Sequence, residues 1–82
     1  MKIYDHKNKR LLSCVTLFLT PGEAAELGDT ARDLADHPKK HHHHINDASY
    51  QQEVIVAVYT PETLSKFDPE SRAVIRDDVA KE

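Results

Sequence analysis

Four consecutive histidines are the residues of this sequence whose type and spacing are best suited to chemistry. They are His41, His42, His43 and His44. In an extended strand the first and third would point to one face, and the second and fourth to the other. Two imidazoles on one face can bind one zinc ion or another divalent transition metal, although a stable site needs a third or fourth ligand. The run therefore predicts half of a metal site on each face of a strand.

The other ligands of such a site would have to come from elsewhere in the chain. Side chains that could supply them are His6, His37, Asp47, Glu53 and Cys14. Nothing in their spacing places any of them near the run. Three other interpretations are therefore open. One is a polar edge strand whose imidazoles form hydrogen bonds, stack and stay solvated. The second is an incidental histidine tract with a loose affinity for nickel or zinc. The third is a pH-sensitive contact, which loosens between about pH 7 and 5 when the crowded imidazoles become protonated and repel one another.

Motifs for other kinds of catalysis are absent from the sequence. It contains no nucleophile elbow, phosphate-binding loop or dinucleotide-binding glycine pattern, and its two glycines are too few for a phosphate cradle. Cys14 lies among apolar residues, so we expect it to pack in the core and not to act as a nucleophile. A single cysteine forms no internal disulfide, which favours the cytoplasm. We expect no catalytic activity, and any enzyme would have to use the histidines.

Hydrophobic patterning and cap residues predict the elements that would position these side chains. Residues 11–20 are apolar on both faces, which is typical of a central strand, and residues 2–5 form a shorter strand before it. A helix begins with a capping box at Thr20-Pro21-Gly22-Glu23 and ends before Pro38. Its apolar stripe comprises Ala24, Leu27, Ala31, Leu34 and Ala35. The histidine run and residues 53–60 predict a hairpin, followed by a helical turn near 61–66 and a helix over about 69–80.

This order predicts one α+β domain over residues 1–82, with a single four-stranded, mainly antiparallel sheet in ββαββα order. If both helices cover the same face, the other face would bind a second copy of the chain or another protein. The residues of that interface would be Leu12, Cys14, Phe18, Ile55, Ala57 and Tyr59. If the helices cover one face each, no such interface remains.

Charge is distributed unevenly around the net value of −3. Residues 1–20 contain four basic residues and one acidic residue, whereas residues 21–38 contain five acidic residues and one basic residue. The acidic balance disfavours nucleic-acid binding, and no apolar run is long enough to cross a membrane. The acidic side chains of the first helix would face a basic protein partner; they are Glu23, Glu26, Asp29, Asp33 and Asp36. We therefore expect a self-associating interaction module of regulatory or inhibitory type, with a metal-binding protein or metal-dependent enzyme as the alternative.

Overall fold

The computed structural model describes residues 1–47 and 49–82. The chain divides into two compact units. Unit 1 contains Met1–Leu17 and Leu64–Glu82, and unit 2 contains Phe18–Thr63. Both ends of the chain thus belong to the same unit. The fold is mixed α+β, as the sequence predicts, but it has two small sheets and not one four-stranded sheet.

The sheet of unit 1 has three short strands. Strands β1 (Ile3–Asp5) and β2 (Arg10–Leu12) form an antiparallel hairpin in which Tyr4 lies opposite Leu11. The carboxylate of Asp5 accepts hydrogen bonds from the backbone of Lys7 and Asn8 and so stabilises the turn. Strand β5 (Ala80–Lys81) pairs in parallel with β2. The buried apolar residues of unit 1 are Leu11, Phe67 and Val74.

Helix α2 (Pro69–Ile75) is shorter than the predicted helix over 69–80. Asp68 caps its N-terminus by accepting a hydrogen bond from the Ser71 amide. At its C-terminus the amides of Asp77 and Asp78 donate to the carbonyls of Val74 and Ala73. Together with the positive φ of 65° at Asp77, these two bonds form a Schellman motif, which ends the helix. The residues that follow are therefore free to form β5.

The predicted strand over residues 11–20 is mostly not a strand, because β2 ends at Leu12. Beyond it, the Glu82 carboxylate accepts hydrogen bonds from the backbone amide and hydroxyl of Ser13, at 2.9 and 2.7 Å. The Glu82 side chain thus accepts the hydrogen bond that the backbone of a paired strand would otherwise accept at this position. Residues 14–19, which we call the unpaired segment, make no backbone hydrogen bond within the described residues.

Unit 2 begins with helix α1 (Pro21–Asp36), which confirms the predicted start and its capping box. The Thr20 hydroxyl accepts a hydrogen bond from the Glu23 amide at 3.2 Å, and the Glu23 carboxylate accepts one from the Thr20 amide at 2.9 Å. A short 3-10 helix, Pro38–Lys40, follows at once. Leu34 is buried, whereas Leu27 and Thr30 are half-buried. The prediction of an apolar stripe is wrong for Ala24, Ala31 and Ala35, all of which are exposed.

A hairpin of two strands lies against α1. Strand β3 (His42–Asn46) pairs antiparallel with β4 (Glu53–Ala57), which confirms that most of the histidine run is a strand. Ile45 is buried and Val54, directly opposite it, is half-buried. These residues mark the inner face of the hairpin. The predicted helical turn near 61–66 is a 3-10 helix, Leu64–Lys66, which belongs to unit 1.

Candidate functional site

The outer face of the hairpin in unit 2 combines imidazoles with apolar side chains. The cross-strand register places His42 opposite Ala57 and His44 opposite Ile55. Residues directly opposite each other share a face, so these four side chains lie together. All four are exposed. We call this set the histidine face.

His41 joins this face in a way that the alternation of a strand does not predict. It precedes β3 and has a φ of 51°, so it does not follow the alternation that would place it with His43. Its imidazole stacks on that of His42, with ring centroids 4.7 Å apart and the two Nδ1 atoms 2.8 Å apart. The centroid of His44 lies 5.3 Å from that of His42. The predicted pairing of His41 with His43 is therefore wrong, whereas that of His42 with His44 is confirmed.

The surroundings of His42 favour the neutral form of its imidazole. Partial desolvation lowers the pKa of this exposed side chain, and the neighbouring imidazoles of His41, His44 and His43 lower it further. The Glu53 carboxylate lies 3.2 Å from the Nδ1 atom of His44. Glu53 is a diagonal neighbour of His44 across the two strands, which is close enough for long side chains to meet.

His43 points to the inner face of the hairpin, where it meets α1. Together with Asp29, Thr30 and Asp33 it lines an open pocket of about 200 Å³. The Asp33 carboxylate already binds Lys40 at 2.9 Å and the Nδ1 atom of His37 at 3.2 Å. The hydrogen bond from Lys40 is the main reason that the pKa of Asp33 is low. This pocket therefore contains the paired carboxylate of Asp33 and the carboxylate of Asp29, which no ion pair holds within the described residues. His43 lies on the opposite face of β3 from His42 and His44.

The structure brings one of the three additional metal-ligand candidates of unit 2 to the histidine face; these candidates are His37, Asp47 and Glu53. Glu53 lies there, and His37 is bound to Asp33. Asp47 accepts hydrogen bonds from the backbone amides of Gln51 and Gln52 in the hairpin loop. His6 and Cys14 belong to unit 1. Within residues 1–47 and 49–82, no three histidine, cysteine or acidic side chains are grouped so that they could hold a metal ion.

The residues of the predicted interface are divided between two sheets and the segment after β2. Ile55 and Ala57 lie on the histidine face, and Tyr59, which follows β4, is 46% exposed. Leu12 is half-buried in β2. Cys14 is exposed, so the expectation that it packs in the core is wrong. Phe18, at 92% exposure, is almost entirely accessible.

Two of the five acidic residues of α1 already have other contacts. Glu23 is held by the capping box, and Asp33 binds Lys40 and His37. Glu26, Asp29 and Asp36 are exposed, and no ion pair holds them within the described residues. These three are the charges of α1 that remain for a partner.

The unpaired segment is the feature that sequence reasoning missed. Its aliphatic side chains were expected in a covered strand, but Val15, Leu17 and Leu19 are each 40–51% exposed. An apolar run has the same local pattern whether or not a partner strand covers it, so no local signal distinguishes the two cases. Only the structure shows where the pairing of β2 ends, through the hydrogen bond from the Ser13 amide to the Glu82 carboxylate.

None of the helices in the described part of the chain combines the length and the apolar character that crossing a bilayer requires. Comparisons with models of protein families, with curated proteins and with solved structures give no match to this chain.

Proposed function

We propose that this chain is a small, non-catalytic interaction module of regulatory or inhibitory type that self-associates through the unpaired segment. The observation that carries the proposal is the exposure of Val15, Leu17, Phe18 and Leu19 in a stretch whose backbone has no partner within the described residues. Exposed apolar side chains that lie close together in a chain are costly in water and mark surfaces of association.

The backbone of this segment is suited to pairing with another strand. Residues 11–20 contain no charge, no proline and no glycine, and they are rich in apolar residues, with Val15, Thr16 and Phe18 among the strong strand formers. Charges, prolines and bulges are the usual features that protect an exposed strand from edge-to-edge association. Their absence supports strand pairing between two copies.

The apolar pattern favours one register. Val15, Leu17 and Leu19 alternate along the segment and would share one face of an extended strand. An antiparallel pair centred on Leu17 places Val15 opposite Leu19, and Leu17 opposite its own copy. A shift by two residues would place one of the aliphatic side chains opposite Ser13 or Pro21. A shift by one would mix the two faces.

Disulfide trapping tests this register. In a Cys14→Ser background, Leu17→Cys should form a covalent dimer on mild oxidation, because directly opposite residues bring their Cβ atoms to about 5 Å. Thr16→Cys in the same background is the matched control. Its copies would be diagonal neighbours, about 7 Å apart or more, and should not link. Equal linking at the two positions would contradict the register.

Sedimentation equilibrium tests the association itself. The unaltered chain should form dimers as its concentration rises, and Leu17→Lys should remain monomeric. Since Leu17 is 43% exposed, the lysine should leave the circular dichroism spectrum unchanged. A chain that stays monomeric up to millimolar concentration would refute the proposal.

The exposed carboxylates of α1 are proposed to attract a basic protein partner. Glu26, Asp29 and Asp36 leave this helix with unneutralised negative charge, which favours association with a positively charged surface. Changing all three to lysine should abolish salt-sensitive capture of such a partner from lysate while the helix content stays the same. Capture that is unaffected by the reversal would exclude this surface.

A further inference from the structure

A hydrogen bond joins the imidazole rings of His41 and His42, whose Nδ1 atoms lie 2.8 Å apart. One ring donates its Nδ1–H, so the Nδ1 atom of the other ring must carry no proton. The two rings are stacked, with their centroids 4.7 Å apart. Protonation of both rings in this position would remove the hydrogen bond and bring two positive charges together. We call these two residues the histidine pair.

The histidine pair lies where the hairpin of β3 and β4 begins. The His41 amide donates to the carbonyl of Pro38 at 3.1 Å, and the amide of Val58 donates to the His41 carbonyl at 2.9 Å. The second bond extends the hairpin by one residue beyond β3. His41 has a φ of 51°, a backbone conformation that residues other than glycine adopt at an energetic cost. The contacts of His41 offset this cost, so the loss of one of them loosens this end of the hairpin.

We propose that the histidine pair is a pH-sensitive contact, which holds the His41 end of the hairpin closed at neutral pH and opens it when both rings are protonated. The first added proton leaves the hydrogen bond intact, because an imidazolium ring can still donate to a neutral ring. The second proton removes the acceptor. The change is therefore a property of two coupled rings and not of a single histidine. It does not depend on the proposed self-association.

The pKa of His42 sets the pH range of the change. Partial desolvation lowers this pKa, and the imidazoles of His41, His44 and His43 lower it further. The folded value is thus below the ordinary value of 6.5, and the unfolded chain binds the proton more readily. The stabilisation from the neutral His42 ring is therefore complete above the unfolded pKa and is lost as the pH falls through the folded pKa.

Strand β4 adds one charged group to the face on which His42 lies. Ala57 lies opposite His42 and carries no charge. Glu53 lies 3.2 Å from the Nδ1 atom of His44, whose ring centroid is 5.3 Å from that of His42. The Glu53 carboxylate therefore balances a proton on His44, so the repulsion that opens the contact comes mainly from the histidine pair.

Charged groups also lie on the two helical segments next to β3. The acidic residues of α1 that meet the hairpin do so beside His43, on its inner face; they are Asp29 and Asp33. The 3-10 helix before His41 carries Lys39 and Lys40, of which Lys40 is bound to Asp33. Desolvation and imidazoles, and not these four side chains, shift the pKa of His42.

Nuclear magnetic resonance of the intact chain between about pH 8 and 5 tests the proposal. The ring of His42 should titrate at a lower pH than in the chain unfolded by urea. As His42 gains its proton, hydrogen exchange at the Val58 amide, corrected for intrinsic pH dependence, should become at least about tenfold faster. The amide of Leu34 in α1 is the internal reference and should keep its protection. His42→Gln should remove the pH-dependent loss of protection at Val58, because glutamine does not titrate.

His43→Gln is the matched control, because His43 lies in the same run but on the opposite face of β3. This variant should keep the pH-dependent exchange at Val58. If His43→Gln removes it as completely as His42→Gln does, the run acts as an unstructured cluster of charge and the proposal is wrong. Titration of His42 at or above the pH of the unfolded chain would also refute it. So would an equal loss of protection at Leu34, because unit 2 would then be unfolding as a whole.

Discussion

The Glu70 carboxylate shows how a single residue organises the surface of unit 1. It accepts a hydrogen bond from the Tyr4 hydroxyl at 2.6 Å and one from the Lys9 ammonium at 2.9 Å. The Tyr4 hydroxyl donates to a charged acceptor, so its neutral form is favoured. The hydrogen bond to Glu70, followed by burial and the charge of Glu70, raises the pKa of Tyr4 to about 12. The same bond lowers the pKa of Glu70.

The Tyr4 phenol should therefore titrate about two pH units later than an ordinary tyrosine. Its folded pKa is above the unfolded value of 10.0, so its contribution to stability is complete below pH 10 and is lost as the pH rises towards 12. Ultraviolet absorbance of the tyrosinate measures this. Tyr4→Phe should remove the titration step near pH 12, and Glu70→Gln should move this step to lower pH. If the step near pH 12 remains in Tyr4→Phe, another tyrosine is responsible for it.

Cys14 should react with a thiol reagent in the folded protein. It is exposed in the unpaired segment, so no unfolding has to precede the reaction. We expect Ellman's reagent to modify one thiol per chain in dilute native protein, within a few-fold of the rate measured in denaturant. A modification rate several orders of magnitude lower in the native protein than in denaturant would mean that Cys14 is buried, as the apolar sequence around it suggests.

At the scale of single elements, termini are determined by a few hydrogen bonds. Helix α1 starts where the Thr20 hydroxyl and the Glu23 carboxylate satisfy two backbone amides, and α2 ends where Asp77 takes a positive φ. The first signal is visible in the sequence because threonine and glutamate three residues apart form a common capping pattern. The second is hidden, because glycine, and not aspartate, usually marks this kind of end.

Removal of the cap should destabilise α1 without altering its surface charge. Thr20→Ala is expected to lower the free energy of unfolding by about 1 kcal/mol, because the amide of Glu23 loses its acceptor. Glu23→Gln is the matched control. Glutamine also completes a capping box, so this change should cost little. Urea denaturation followed by circular dichroism compares the two, and an equal loss in both variants would contradict the capping argument.

At the scale of the whole molecule, the limiting quantity is the amount of buried apolar surface. The buried apolar residues are Leu11, Leu34, Ile45, Phe67 and Val74. A chain of 82 residues has a total stability of only about 4 to 12 kcal/mol. Each of these side chains therefore supplies a large share of it.

Leu34→Ala should be among the most damaging single changes. Leu34 is 2% exposed, and truncation of a buried leucine costs about 2–5 kcal/mol. The urea midpoint should fall sharply. Leu19→Ala is the control of the same residue type, since Leu19 is 40% exposed, and at micromolar concentration it should cost less than about 1 kcal/mol. Comparable losses in the two variants would mean that Leu34 is not a core residue.

By itself, the sequence determined the features that depend on neighbouring residues. The capping box places the start of α1, and the strand-forming residues on either side of a polar loop predict the hairpin of β3 and β4. The sequence also predicts part of the histidine face, because alternation along a strand places His42 and His44 on the same side. Caps and alternation act over a few residues, so a local pattern is sufficient to predict them.

Only the tertiary structure decided which segments pair and which stay alone. Strand β2 joins Arg10 and Leu11 to Ala80 and Lys81 from the other end of the chain, and Glu82 ends the ladder at Ser13. As a result, an apolar segment that resembles a central strand is left exposed. The stacking of His41 on His42 likewise depends on a positive φ that the hairpin ladder and the 3-10 helix hold in place. Which distant segments pair depends on all the alternative strand pairings that the chain could form, and so the local sequence cannot predict it.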